Sequence, residues 1–331
     1  MKTIEKVRLS IGTAIQLGLE RGNLIPDFTS AFLMTYCETG CRANCAFCPQ
    51  ARESTSALNK LSRISWPVYD FQNSMSSFND SVKFQRICIQ CLNYQGVADD
   101  TVYILTELRK HYDGPISVCI HPLQSTDLRR LRDSGATNIG IAIDAATPAI
   151  FNQIKGEERD SDYRWETHRQ ALSDAVEVFG DGNVTTHLIV GLGETEREAS
   201  EFLIEMFQQG ICVGLFAFTS VRGTSLEGES SPDLGSYRRL QILRHLLSQG
   251  VSSHELVEYN ETGELSFSME PEKLEQSLAT GQAFRVSGCS GCNRPYYNER
   301  PGGTSYNFPR TLSENEVKSA LEVSGVLKRD G

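Results

Sequence analysis

The densest chemistry in the sequence sits in CETGCRANCAFCPQAR, residues 37–52, where Cys41, Cys45 and Cys48 follow an apolar run at the spacing C-x3-C-x2-C. Thiolates on so short a loop can hold three corners of a [4Fe-4S] cubane and leave the fourth iron without a protein ligand. An iron left open in this way can be chelated by an amino and a carboxylate group of a small molecule. The rival occupant is zinc, which takes four nitrogen or sulfur ligands and favours paired C-x2-4-C spacings. Three closely spaced cysteines fit that pattern poorly, and Cys37, outside the spacing, reads as a packed neighbour at a strand end.

What must position this loop is legible in the hydropathy. Apolar, β-branched runs recur at residues 31–37, 86–94, 115–122, 138–145, 184–192 and 211–221, with helix-like segments between them. Runs that are continuous rather than alternating in polarity, separated by helices, indicate βαβ units and a parallel sheet. AFRVSGC (283–289) reads as an eighth strand and HELVEYNETGELSFS (254–268) as a hairpin or a distorted seventh. The expected fold is therefore α/β, a full or nearly full (β/α) TIM-type barrel. Residues 1–30 would form an amphipathic helix and linker, 31–255 the barrel core, and 256–331 its completion and a cap. Segment 50–85 is Ser-rich and reads as a long irregular loop.

Composition narrows the function. The chain has 331 residues, a formal charge of −10 and no basic run, which argues against general binding to a nucleic-acid backbone. No stretch reaches the roughly 18 apolar residues of a membrane span, and the N-terminus lacks the apolar core and cleavage site of a secretory signal. The expected compartment is the cytoplasm, where ten cysteines imply metal or redox chemistry before disulfides.

The words around the triplet, CRANCAFCPQAR, resemble the cluster loop of the radical SAM superfamily, specifically its biotin synthase and lipoyl synthase group. That resemblance implies a [4Fe-4S] cluster on Cys41, Cys45 and Cys48 whose open iron binds S-adenosylmethionine, and one-electron cleavage to a 5′-deoxyadenosyl radical. HLIVGLGET (187–195) is similar to the strand end that lines the adenine, implicating Val190, Gly191 and Gly193. NIGIAIDAA is similar to the strand whose acidic residue bonds or approaches the ribose, which matches Asp144. Arg164 and Arg169, in the helix that follows, are the candidates for the methionine carboxylate. SIGTAIQLGL, LSRISWP and CNRPYYNERPGG look closest to a subunit of a two-component lipoyl synthase. The implied reaction inserts sulfur into an octanoylated carrier protein or peptide. Its implied helpers are a reducing protein such as ferredoxin or flavodoxin and a partner synthase subunit. A biotin synthase acting on dethiobiotin, a rearrangement or methylation enzyme and a non-catalytic metalloprotein remain alternatives.

In biotin synthases, cysteines on strands two, three and five with an arginine hold an auxiliary sulfur-donating cluster. Cys88 and Cys119 match the first two positions, whereas Thr186 stands at the third. The expected second cluster therefore takes Cys88, Cys119, Cys289 and Cys292, with Cys91 as a further candidate and zinc as the rival occupant. Individually each strand cysteine could be a small buried hydrophobe, the role assigned to Cys212. Arg294, Asn298 and Arg300, in the polar loop 293–310, are candidates to orient a substrate carboxylate or amide.

Overall fold

A computed structural model describes residues 4–24, 28–78, 84–251, 256–294, 299 and 302–327. The chain starts with strand β1 (Lys6–Leu9), helix α1 (Ile11–Gln16) and strand β2 (Ser30–Thr35). A small hairpin of β3 (Lys60–Leu61) and β4 (Ile64–Ser65) precedes β5 (Val68–Asp70) and α2 (Phe71–Ser76). Strand and helix then alternate: β6 (Arg86–Gln90), α3 (Val97–Leu108), β7 (Ile116–Cys119), α4 (Ser125–Asp133), β8 (Asn138–Gly140) and α5 (Pro148–Ile154). The series continues with α6 (Trp165–Phe179), β9 (Val184–Val190), α7 (Glu196–Gln208), β10 (Ile211–Ala217) and α8 (Leu234–Ser248). The tail adds β11 (Val257–Tyr259), β12 (Leu265–Phe267), α9 (Pro271–Leu278) and α10 (Glu314–Ser324).

One eight-stranded sheet carries the fold, in the order β10-β9-β8-β7-β6-β2-β1-β5. The strands from β2 and β6 through β10 are parallel neighbours, and β1 runs antiparallel between β2 and β5. Their continuous apolar character follows from burial on both faces: Leu33, Ile87, Ile89, Val118 and Ile139 are fully enclosed. Among the described residues no ladder joins β10 to β5, so the sheet matches the expected TIM-type arrangement in its parallel strand order while full closure of the barrel is not seen.

Three segments differ from their sequence expectation. The N-terminal helix is replaced by β1, whose Val7 and Leu9 are buried against β2 and β5, and α1 starts only where the Ser10 hydroxyl accepts from Thr13 N. Segment 50–85 is not wholly irregular, since it holds β3, β4, β5 and α2. AFRVSGC forms no eighth strand: it makes a 3-10 turn at Gln282–Phe284 and passes through Gly288 at φ 137, outside strand geometry. The tail nevertheless fills the place under the sheet that such a strand would take. Ser287 Oγ accepts from Leu215 N of β10 (2.8 Å), Ser30 Oγ of β2 donates to Gly291 O (3.2 Å), and Arg86 Nε of β6 donates to Ser290 O (2.8 Å). These bonds tie the first and last parallel strands together through residues 287–291. The expected hairpin at 254–268 does form, as β11 and β12, with Asn260 Oδ1 accepting from Thr262 N and Glu264 N in its turn. No described helix is long and apolar enough to cross a membrane.

Candidate metal centre

The loop after β2 is held from three sides. Gly40, at φ 76, reverses the chain, Arg42 N donates to Asn93 O (2.8 Å), and Ala46 N donates to Ile154 O at the end of α5 (2.7 Å). Asn44 Nδ2 donates to Arg159 O (2.8 Å). Cys48 N donates to Cys45 O (3.0 Å), a tight turn that brings two of the thiols into one neighbourhood. Cys41, Cys45 and Cys48 thereby line a cavity of about 230 Å³ at the C-terminal ends of the parallel strands, the end where such sheets bind ligands. Burial pushes the Cys45 thiol up to about 12 and raises Cys41 and Cys48 as well. Unliganded, these groups are neutral thiols; thiolate character here requires a cation, which metal binding supplies while protons are released.

A cation of the protein's own already stands among them. Lys155, 3% exposed, extends Nζ from the end of α5 to Asp144 Oδ2 (2.8 Å) and Ala142 O (2.8 Å). Burial alone would lower it, but the Asp144 carboxylate outweighs that and holds the ammonium above its usual value. Asp144 itself sits at φ 68, a left-handed conformation that costs a non-glycine residue about 1–3 kcal/mol and is found where the site over-determines it. Its backbone bridges β9 through His187 O and Ile189 N. Three imidazoles complete the lining: burial pulls His187 down to about 4 and His168 to about 3, and lowers His121, whose Nδ1 is buried without a partner. All three are therefore neutral at pH 7.

Lys155 and the three histidines were not singled out from sequence. The available signal was a lysine one turn after Phe151, on the apolar face of a helix whose Phe151 and Ile154 are buried. Conversely, Arg164 and Arg169 stand outside the cavity. Arg164 donates to Ser161 O and Tyr163 O and pairs with Glu157, whereas Arg169 pairs with Glu205 of α7 on the outer layer. Val190, Gly191 and Gly193 lie just past the lining, which reaches Ile189. Gly191 and Gly193 adopt φ 100 and 113, and the Glu194 carboxylate closes their turn by accepting from Gly191 N and Leu192 N. Arg294 lines the cavity with its guanidinium over the Phe32 and Phe216 rings; Asn298 and Arg300 fall outside the described residues.

Directly beneath lies a smaller chamber, about 20 Å³, walled by Cys88, Cys119, Cys289 and Cys292. It shares Cys119, His187, Phe216 and Arg294 with the cavity above. Sheet register aligns Cys88 with Ser117, and Ser117 Oγ donates to Cys289 Sγ (3.3 Å), while Cys88 and Cys119 Sγ are 3.9 Å apart. Gly140 makes room for this: a Cβ there would lie 3.0 Å from Cys119 Sγ and 2.9 Å from Thr185 Oγ1. Arg86, 5% exposed, reaches in from β6 with only Ser117, Asn138 and Ser290 oxygens as partners. A buried guanidinium without a carboxylate among the described residues favours an anionic occupant. Cys91 faces the upper cavity and bonds Thr101 Oγ1 (3.3 Å), so it is not part of this set.

Among the described residues no three His, Cys, Asp or Glu side chains converge on a position for a single metal ion. A zinc ion would draw its sulfurs to about 2.3 Å from one point. A cubane asks for something else, since each thiolate binds a different iron and the sulfurs stand apart around the cluster. The triplet, spread over the wall of one cavity with a lysine beside it, fits that demand.

A mostly parallel eight-stranded α/β sheet with a cysteine-bearing loop at the C-terminal end of its first parallel strand is the class of fold. Solved structures that share it include methylornithine synthase (PylB), at TM-score 0.52 and 14% identity over 95% of this chain and 86% of that one. The FeFe-hydrogenase maturase HydG from Carboxydothermus hydrogenoformans is also similar, at TM-score 0.53 and 15% identity over 96% of this chain and 70% of that one. No protein-family model matches the sequence, and no curated protein matches it.

Proposed function

We propose that this chain is a radical SAM enzyme that inserts sulfur into unactivated C–H bonds. The observation that carries the reading is the placement of Cys41, Cys45 and Cys48 in the lining of a cavity to which the parallel strands all lead. A [4Fe-4S] cluster on these thiolates with S-adenosylmethionine supplies a 5′-deoxyadenosyl radical. Around it, Lys155 offsets the negative charge of the thiolates, and Asp144 stands where the ribose is expected. Val190, Gly191 and Gly193, at and just past the end of β9, would line the adenine. The apolar walls from Phe216 to Phe218 keep water from the reacting carbon.

Sulfur insertion is supported by the second cysteine set. Cys88, Cys119, Cys289 and Cys292 surround a chamber that shares Cys119, His187, Phe216 and Arg294 with the cavity, and a cluster held there would be the source of sulfide for a carbon above. The proposed substrate is an octanoyl group on a carrier protein, with Arg294 at the cavity floor orienting its polar end, and a ferredoxin or flavodoxin as reductant.

The test is anaerobic reconstitution followed by incubation with S-adenosylmethionine and an octanoyl-carrier peptide, with dethiobiotin in parallel. About eight irons per chain, as two cubanes require, together with thiolated octanoyl product support the proposal. About four irons and unmodified peptide overturn the sulfur-insertion half and direct attention to rearrangement chemistry.

A further inference from the structure

The four-cysteine chamber shares a wall with a second cavity. A polar basin of about 470 Å³ lies at the N-terminal ends of the parallel strands, where Thr29 and Gln85 precede β2 and β6, opposite to the triplet. Cys289 and Cys292 belong to the walls of both basin and chamber and do not line the upper cavity. The loop carrying them, turned by the bond from Cys292 N to Cys289 O (3.0 Å), is a thin partition. Both cysteines therefore border a cavity that none of the triplet lines.

The basin is cationic although the chain carries a formal charge of −10. Arg244 of α8 donates from Nε to Val213 O (3.1 Å), and Arg285 donates from Nη1 to Gln282 Oε1 (3.1 Å). Among the described residues no carboxylate pairs with either. Other arginines of this chain do find acidic partners, as Arg239 does in Glu196 and Arg310 in Glu316. A guanidinium keeps its charge in a protein, so these two leave N–H donors facing the basin for an incoming anion. Arg86, a step deeper and bonded to Ser290 O, continues the positive path into the chamber.

We infer that this basin is a separate entrance for small anions to the second cysteine site, and that its ligand is an inorganic sulfur anion, hydrosulfide. Four cysteine thiols converge on the chamber, iron held by them would take up sulfide, and the arginines select negative charge. Its purpose, replenishing sulfur where cysteines hold iron, rests on the proposed second cluster; its geometry does not.

The two are tested separately in the C41A/C45A/C48A chain. In the metal-free form, Cys289 and Cys292 are alkylated with iodoacetate, an anion, and with iodoacetamide, its neutral counterpart. R244Q and R285E are expected to lower the iodoacetate-to-iodoacetamide rate ratio at these two cysteines by roughly five-fold or more, leaving the ratio at Cys91 unchanged. A ratio unmoved by either variant overturns the entrance whatever the iron content. With iron and sulfide added, S290W on the basin rim is expected to slow the sulfide-dependent rise of cluster absorbance several-fold. An unslowed rise counts against the entrance. If the ratio shifts but no iron is retained, the anion entrance stands and the second-cluster reading falls.

Discussion

Replacing Lys155 with methionine removes one charge of a buried pair and little volume, and its cost follows from the site. Asp144 and Lys155 side chains are 9% and 4% exposed, with Oδ2 and Nζ 2.8 Å apart. At an effective dielectric of about 20, unit charges at that distance attract by about 6 kcal/mol. Desolvation of both ions offsets much of it, so the intact pair contributes little net, but a lone buried carboxylate costs about 3–5 kcal/mol. With a denaturant slope of about 3 kcal/mol per M, the urea midpoint of the metal-free chain drops by about 1 M or more. Adding Asp144→Asn to Lys155→Met is expected to recover at least half of the loss, because no charge is then left unpaired. The assay is anaerobic urea denaturation of the wild-type, single and double variants. A single variant costing less than about 1 kcal/mol, or a double variant no more stable than the single, refutes the argument.

Further outcomes follow from the same geometry. His187 is held down near 4 by burial, so it stays neutral when folded yet binds a proton when unfolded below its ordinary value of 6.5. Its contribution to stability is therefore full above pH 6.5 and falls as pH drops toward 4, by about 2 kcal/mol at pH 5; His187→Gln is expected to reduce the pH 7-to-5 loss in urea titrations by about that amount, the lowered His168 keeping the rest. Gly191→Ala forces φ 100 on an L side chain and sets a Cβ 2.9 Å from Pro232 Cδ, so the melting temperature should fall in line with a loss of about 1–3 kcal/mol. Cys88→Ser with Cys289→Ser is expected to halve iron content after reconstitution while leaving deoxyadenosine formation intact. Unchanged iron would place the second cluster elsewhere.

Much of this was legible because strands buried on both faces announce themselves as unbroken apolar runs, as 184–192 and 211–221 do for β9 and β10. The cysteine spacing was equally plain, being local. What escaped reading depends on contacts distant in sequence. The segment around Val7 and Leu9 alternates weakly enough to pass for an amphipathic helix, and only pairing with Met34 and Tyr69 neighbours makes it a strand. Residues 283–289 read as a strand by composition, but a 3-10 turn at Gln282–Phe284 and the positive φ of Gly288 leave only the isolated bridge from Arg285 to Phe308. The role of Lys155 shows only once its Nζ is seen to pair with Asp144, eleven positions earlier. Arg164 and Arg169 were attractive by type, but their helix turns them toward Glu157 and Glu205.

The most direct measurement is 5′-deoxyadenosine formed from S-adenosylmethionine on one-electron reduction of the anaerobically reconstituted chain, compared with Cys45→Ala. The expected result is turnover in the wild type and its loss in the variant, with about four fewer irons bound. Zinc in place of iron, or deoxyadenosine formed equally by both chains, would contradict the assignment of the triplet.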